Sequence, residues 1–353
     1  MSRKKIVFTG GGSAGHVTPN IAIINEVKNQ WDIHYIGSET GIERDLIKKN
    51  GIQYYGISSG KLRRYVDFEN IRDIFRVVKG YLEARKLLKK IKPSLVFSKG
   101  GFVTVPVVLA ARTLNIPILI HESDITPGLT NKISKRFATK IFTSFEEAKK
   151  YFPEDRTIVT GSPIRREIRA GNAKKGRDYL GFNAELPILT VMGGSLGSKS
   201  VNEAIRNTLE ILLRKYQIVH ICGKNNVNEE MTMITGYSQF EYINEMLPDV
   251  LAATDIVVSR GGSNALFEFL ALKKPMLIIP LRLNQSRGDQ ILNAHAFQQK
   301  GYSMTLMEEN LNSETLVENI DTLYLNKMTF IANMRGSKRN EALRVLVDEI
   351  NAF

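Results

Sequence analysis

The sequence predicts an α/β protein made of two doubly wound, parallel-sheet domains, and three observations predict it. Short apolar runs rich in Val and Ile alternate with longer stretches of helical periodicity, the pattern of βαβ units whose strands are covered on both faces. The series then starts again past the middle of the chain. Each half opens on a strand that runs into a glycine-rich turn, FTGGG at residues 8–12 and VMGGS at residues 191–195.

The elements follow in order. Strands are expected at residues 5–9, 33–36, 95–98, 118–121, 141–143 and 158–160 in the first half. The second half places them at 188–192, 218–222, 240–243, 256–259 and 276–280. Pro19, whose fixed φ suits a first helical turn, sets a helix start near Thr18. The join falls near Gly161-Ser162-Pro163, ahead of the polar tract 170–176, and gives domains 1–162 and 163–336. Leu343, Leu346, Val347, Ile350 and Phe353 recur at helical spacing. They make 337–353 an amphipathic helix expected to pack back on the first domain.

Composition narrows the class. The chain has 353 residues, 43% hydrophobic and 24% charged, as in globular domains. A single cysteine, Cys222, excludes a disulfide framework and a cysteine metal site. The run Ile6-Val7-Phe8 is too short for a signal peptide, and no window reaches the roughly 18 apolar residues of a membrane span. The net charge of +13 suits a polyanionic partner: nucleic acid, an anionic membrane or a phosphorylated substrate. Charge alone does not choose among them.

The turns carry the chemistry. A strand, glycines and a helix start present backbone N–H groups and the positive end of a helix dipole. Gly10, Gly12 and Gly15 also fit the spacing of a dinucleotide fingerprint, but Glu39 stands late for the ribose-binding acid of such a site. His16 directly follows the last glycine. A helix N-terminus disfavours its cation, so a neutral imidazole is a candidate general base. A second loop, GGSLGS at 193–198, and the stretch SRGGSNALFE at 259–268 each follow a strand and open a helix. Backbone donors there suit a diphosphate, and Glu268 suits a ribose diol. No aspartates stand two apart and the five histidines lack ligand spacing, so neither metal nor cofactor is expected. Residues 61–92 set Ile71, Ile74, Phe75, Val78, Tyr81 and Leu82 at helical spacing among Arg72, Arg76, Lys79 and further cations. That reads as a patch for an anionic membrane surface.

GGGSAGHVTP, SKGGFVTVP, IHESDITPGLTNK, VMGGSLGSKSVN, SRGGSNALFE and NQSRGDQILNA occur along the chain in the order found in the MurG N-acetylglucosaminyltransferases. The resemblance covers nearly the whole chain. It implies a glycosyltransferase B-type fold, two Rossmann-like domains facing a cleft. The implied reaction is inverting transfer of N-acetylglucosamine from UDP-N-acetylglucosamine to the 4-hydroxyl of undecaprenyl-diphospho-muramoyl-pentapeptide (lipid I to lipid II) in peptidoglycan and cell-wall synthesis. His16 is then the catalytic base. Ser13, Ala14, Gly15, Asp124, Arg165, Ser195, the backbone of Ile243, Arg260, Glu268, Asp289 and Gln290 are implied to meet the donor. Gly11, Gly12, Gly100 and Gly101 are implied to face the acceptor diphosphate. Asp124 and Asp289 depart from the family by standing where amides are usual, losing a donor and adding charge near a diphosphate. The place implied is the cytoplasmic face of the cell membrane, peripherally bound, with cell-wall synthesis proteins as neighbours.

Rival readings are a related diacylglycerol glycosyltransferase, a UDP-N-acetylglucosamine epimerase, a nicotinamide dehydrogenase and a nucleic-acid-binding module. An epimerase needs no lipid patch, and a dehydrogenase leaves residues 193–198 and 259–268 unexplained. The nucleic-acid reading rests on charge alone, with no recognition helix or stacking platform.

Overall fold

The computed structural model describes residues 3–60, 68–194, 197–337 and 341–353, with the backbone alone at 68–72 and 74. The chain divides into two compact units, Met1–Pro163 with Glu341–Phe353, and Ile164–Asn340.

The first unit holds seven parallel strands: β1 (Lys4–Thr9), β2 (Trp31–Ser38), β3 (Gln53–Ile57), β4 (Leu95–Ser98), β5 (Ile118–Glu122), β6 (Lys140–Thr143) and β7 (Thr157–Val159). Their order in the sheet is β3-β2-β1-β4-β5-β6-β7. Alternation along each strand feeds two cores. Val7, Ile36, Val96 and Ile120 face one, against Ala84, Leu88 and Val107. Ile6, Phe8, Phe97 and Leu119 face the other, against Val17, Ile24, Leu346 and Ile350. The helix Ala342–Asn351 thus belongs to this unit. Trp31 Nε1 also donates to Asn351 Oδ1 at 2.8 Å, and Lys140 pairs with Glu349. Burying Leu346 and Ile350 is worth about 1.5–3 kcal/mol each.

The second unit repeats the scheme with six parallel strands: β8 (Ile188–Met192), β9 (Gln217–Ile221), β10 (Tyr237–Phe240), β11 (Ile256–Ser259), β12 (Met276–Ile278) and β13 (Ser303–Thr305). Their order is β10-β9-β8-β11-β12-β13. The chain direction across each sheet reverses between two strands, β1 and β4 in one and β8 and β11 in the other. Such switch points open a crevice at the carboxyl ends of the strands.

Four expectations need correction. β3 and β13 were not foreseen. The third strand of the second half ends at Phe240 instead of beginning there. The helix expected near Thr18 begins at Ala14, with Pro19 inside it. It forgoes one ladder bond at Pro19, while Thr18 Oγ1 donates to Ala14 O at 2.8 Å. The division of the chain lies at 163/164 and again at 340/341.

Candidate active site

In the first unit, the turn after β1 and the turn after β4 meet at the switch point. Gly11 N–H donates to Gly100 O at 3.3 Å. Gly101 has φ +94°, and a Cβ there would lie 2.1 Å from Gly11 O, so the close approach requires glycine. Buried polar groups fix the rest of the first turn. Tyr35 O–H donates to Gly10 O at 2.7 Å, and Asn20 Nδ2 to Thr9 O at 3.2 Å. Gly12 N–H donates to Glu43 Oε2 at 3.2 Å. The N–H groups of Gly11 and Gly12 are therefore spent inside the protein, and the turn contributes shape more than donors.

Ser13 caps the helix Ala14–Val27 with extended backbone, and His16 lies in its first turn, half-buried. His16 Nδ1 is 2.9 Å from Gly11 O and 3.1 Å from Ser13 Oγ. A carbonyl oxygen only accepts, so Nδ1 carries a proton, and in the uncharged form of the ring the lone pair is on Nε2.

Below the β4 turn lies a network that sequence reasoning missed. Lys99 is fully buried and donates to His121 Nδ1 and to Ser123 Oγ, each at 2.5 Å. His121 Nε2–H donates to Gly161 O at 3.0 Å, which leaves Nδ1 to accept. Burial pushes the Lys99 ammonium down to about 7, against the pull of Glu122 and Asp124. Burial and the neighbouring Lys99 hold His121 well below the usual imidazole range. Glu122 is raised by burial and by Asp124. It accepts from Asp124 N, Gly128 N and Asn131 Nδ2 at 2.9–3.2 Å. Asp124 is half-buried beside this cluster.

In the second unit, Ser195 lies outside the described residues. Gly197 has φ +78°, and a Cβ on it would meet Cys222 O at 2.0 Å. Asn202 Nδ2 donates to the same Cys222 O at 3.0 Å, while its Oδ1 lies 2.9 Å from His220 Nε2. The helix Lys199–Asn207 starts here, capped by the Ser198 side chain.

Arg260 follows β11 and is buried. Its guanidinium donates to Ile279 O (3.0 Å), Pro280 O (3.3 Å), Ser198 Oγ (2.6 Å), Ser200 Oγ (3.1 Å) and Glu308 Oε1 (2.8 Å). The Arg260 guanidinium, implied to meet the donor, is thus held by the protein itself and ties β11 to the helix cap. Burial works to raise the Glu308 carboxyl. Hydrogen bonds from Arg260 and Ser200 and the charges of Arg260 and Arg282 outweigh it and hold Glu308 below the usual range. Ser198, Arg260, Arg282 and Glu308 line a cavity of about 450 Å³. Neither Glu308 nor Arg282 was foreseen.

Arg165 and Glu268 do come together, at 3.6 Å. Burial raises the Glu268 carboxyl, and Arg165 partly offsets it. Gln290 Oε1 accepts from Gly261 N and Leu281 N, each at 3.2 Å. Asp289 opens the helix Asp289–Gln299 and pairs with Arg287 at 3.7 Å. Ile243 is buried, just past β10. No three His, Cys, Asp or Glu side chains converge as metal ligands among the described residues.

The helix Phe68–Ile91 turns Ala84, Leu88 and Ile91 to the core. Phe75 (70% exposed), Val78 (52%) and Leu82 (60%) face outward, with Arg76 and Lys79 also exposed. Tyr81 departs from the expected patch: it packs on the core and donates to Thr113 Oγ1 at 3.3 Å. The side chains of Ile71 and Arg72 lie outside the described residues. No helix among those residues is long and apolar enough to cross a membrane.

The Glycosyltransferase family 28 N-terminal domain matches residues 6–143, and the Glycosyltransferase family 28 C-terminal domain matches residues 188–349. A Shouchella clausii protein is 55% identical over 348 residues, 98% of each chain. It is named UDP-N-acetylglucosamine--N-acetylmuramyl-(pentapeptide) pyrophosphoryl-undecaprenol N-acetylglucosamine transferase. A Bacillus cereus protein of the same name, numbered 2, is 53% identical over 349 residues, 99% of each. This chain belongs to the MurG family. It is an N-acetylglucosaminyltransferase. The crystal structure of Acinetobacter baumannii MurG covers the whole of both chains with a TM-score of 0.77 at 23% identity, which speaks for the shared fold. The MurG membership takes precedence over the epimerase and diacylglycerol readings.

Proposed function

We propose that this MurG enzyme inverts the anomeric centre of UDP-N-acetylglucosamine, with His16 as the base for the 4-hydroxyl of the lipid-linked muramoyl-pentapeptide. The observation that carries the assignment is the His16 Nδ1–Gly11 O hydrogen bond, which leaves Nε2 as the basic nitrogen. Nε2 takes the hydroxyl proton as the oxygen attacks the anomeric carbon and UDP departs with the bonding electron pair. The first unit presents His16 and the acceptor turns around Gly100 and Gly101. The second unit takes the nucleotide: Glu268 meets the ribose hydroxyls, and Arg165 and the turn around Ser195 meet the diphosphate whose charge grows as UDP leaves. Asp124 and Asp289, each already engaged or crowded by charge, bear on the sugar.

The apolar stripe Phe75, Val78 and Leu82, flanked by Arg76, Lys79, Lys86 and Lys89, supports peripheral docking on an anionic membrane, where the lipid acceptor resides. Purified protein given labelled donor with and without a short-chain lipid-linked muramoyl-pentapeptide should transfer label only with acceptor. His16→Ala should lower turnover by about 10²–10⁴-fold. Turnover near wild type in that variant would remove His16 from the base role.

A further inference from the structure

Glu43 is fully buried in the first turn of the helix Ile42–Lys49, behind the turn that carries Gly11 and Gly12. It accepts three hydrogen bonds: from Ser38 N at 3.0 Å, from Ser38 Oγ at 2.5 Å, and from Gly12 N at 3.2 Å. The first two only tie β2 to the following helix. The third does more. The N–H of Gly12 and the C=O of Gly11 belong to one trans peptide group. On one side that group donates to Glu43 Oε2, and on the other it accepts from His16 Nδ1 at 2.9 Å. Carboxylate, peptide and imidazole therefore form a single hydrogen-bonded chain.

A carboxylate facing an amide N–H polarises the peptide, and the carbonyl at its far end becomes a stronger acceptor. A stronger acceptor on Nδ1–H holds the ring in the tautomer with its lone pair on Nε2 and stabilises the imidazolium once the proton arrives. An acid in direct contact with a catalytic histidine does the same in hydrolytic triads. In this protein a peptide group stands between the two. We propose that Glu43 is a positioning residue for His16, acting through the Gly11–Gly12 peptide to fix the tautomer of the base.

The inference rests on His16 being the base, and the proton balance is that of the reaction itself. The acceptor hydroxyl gives its proton to Nε2, its oxygen bonds to the anomeric carbon, and the bond to UDP breaks. Glu43 gains and loses nothing. Its contribution is the orientation of the ring and the favoured charge state after transfer.

Nitrogen-15 NMR of wild-type protein labelled at histidine tests the chain without any variant. The His16 ring should carry its proton on Nδ1; a proton on Nε2 in the neutral ring overturns the proposal. In Glu43→Gln the share of that tautomer should fall. Turnover should drop about 10–100-fold with the KM for UDP-N-acetylglucosamine unchanged. The double variant His16→Ala with Glu43→Gln should be no slower than His16→Ala alone, because Glu43 acts only through the ring. A further loss in the double variant, multiplying the two single losses, would make Glu43 a general structural support and defeat the proposal. Normal turnover in His16→Ala is a separate result that defeats the base assignment beneath it.

Discussion

The two glycine turns share one local plan, strand, turn and helix at a switch point, yet they are wired with opposite charge. The first has a carboxylate inside it. Glu43 takes the Gly12 N–H and Gly100 O takes the Gly11 N–H, so two of the turn's donors are used inside the protein. The second has its buried acid, Glu308, on a guanidinium instead of on the backbone. Arg165 and Arg282, each partly exposed, add positive charge on the same unit. An anion approaching the first turn meets an internal negative charge, whereas one approaching the second unit meets cations. The contrast suits the proposed division, a neutral hydroxyl at the first turn and a nucleoside diphosphate on the second unit. The fingerprint spacing Gly10, Gly12 and Gly15 is silent on the difference, because the difference lies in a residue 31 positions away.

The comparison can be broken at several points. The largest effect should come from Glu308→Ala, which leaves Arg260 buried and unpaired. Urea unfolding should show a loss of about 3–5 kcal/mol, and a loss below about 1 kcal/mol would mean the pair is not what holds the second turn. The same carboxyl titrates below its usual range in the fold. Its contribution is fully present above the unfolded value of 4.5 and is lost as pH falls towards the folded one. Glu308→Gln should flatten that acid limb.

Next in size is Arg165→Ala, which removes a charged donor from the unit proposed to take the nucleotide. Calorimetry should show UDP bound about 10–100-fold more weakly, while Glu43→Gln, on the other unit, leaves UDP affinity within about twofold. Equal losses would end the division of labour.

Lys99 offers a smaller and pH-dependent test. Its folded value near 7 lies below the unfolded 10.5, so between those values the unfolded chain holds more protons. Stability should then rise with pH from about 7 to 10, by at most about 1.4 kcal/mol per unit. Lys99→Met should remove the slope; a slope unchanged in that variant would assign it to another group. The membrane effect is read apart from folding and from nucleotide binding. Reversing Arg72, Arg76 and Lys79 should weaken binding to anionic vesicles by about 1 kcal/mol per charge at low salt. Undiminished binding would move the docking surface elsewhere.

Strands flanked by β-branched runs were legible to the residue: β4, β8 and β11 begin and end where their apolar runs do. β3 was not, because QYYGI is half-buried at a sheet edge and lacks the continuous apolar run of a covered strand. β13 has three residues, too few to show a period. Pro19 misled because tertiary burial of Val17, Ile21 and Ile24 outweighs one missing backbone bond. At the site, His16 and Glu268 could be singled out from residue type and place, and Arg165 from the resemblance alone. Glu43 was not, since an acid in a helix's first turn reads as a surface charge that suits the dipole. The Arg260–Glu308 pair spans 48 residues, beyond the reach of any local pattern.

The return of the helix Ala342–Asn351 to the first unit has a bearing on biogenesis. Leu346 and Ile350 complete a core whose other members, Ile6 and Phe8, leave the ribosome at the start. At about 5–20 residues per second, all of the second unit is made in between, a delay of roughly 10–30 s. The half that is synthesised first is therefore the half that must wait, its apolar face open, and a chaperone holding nascent chains would find its client there.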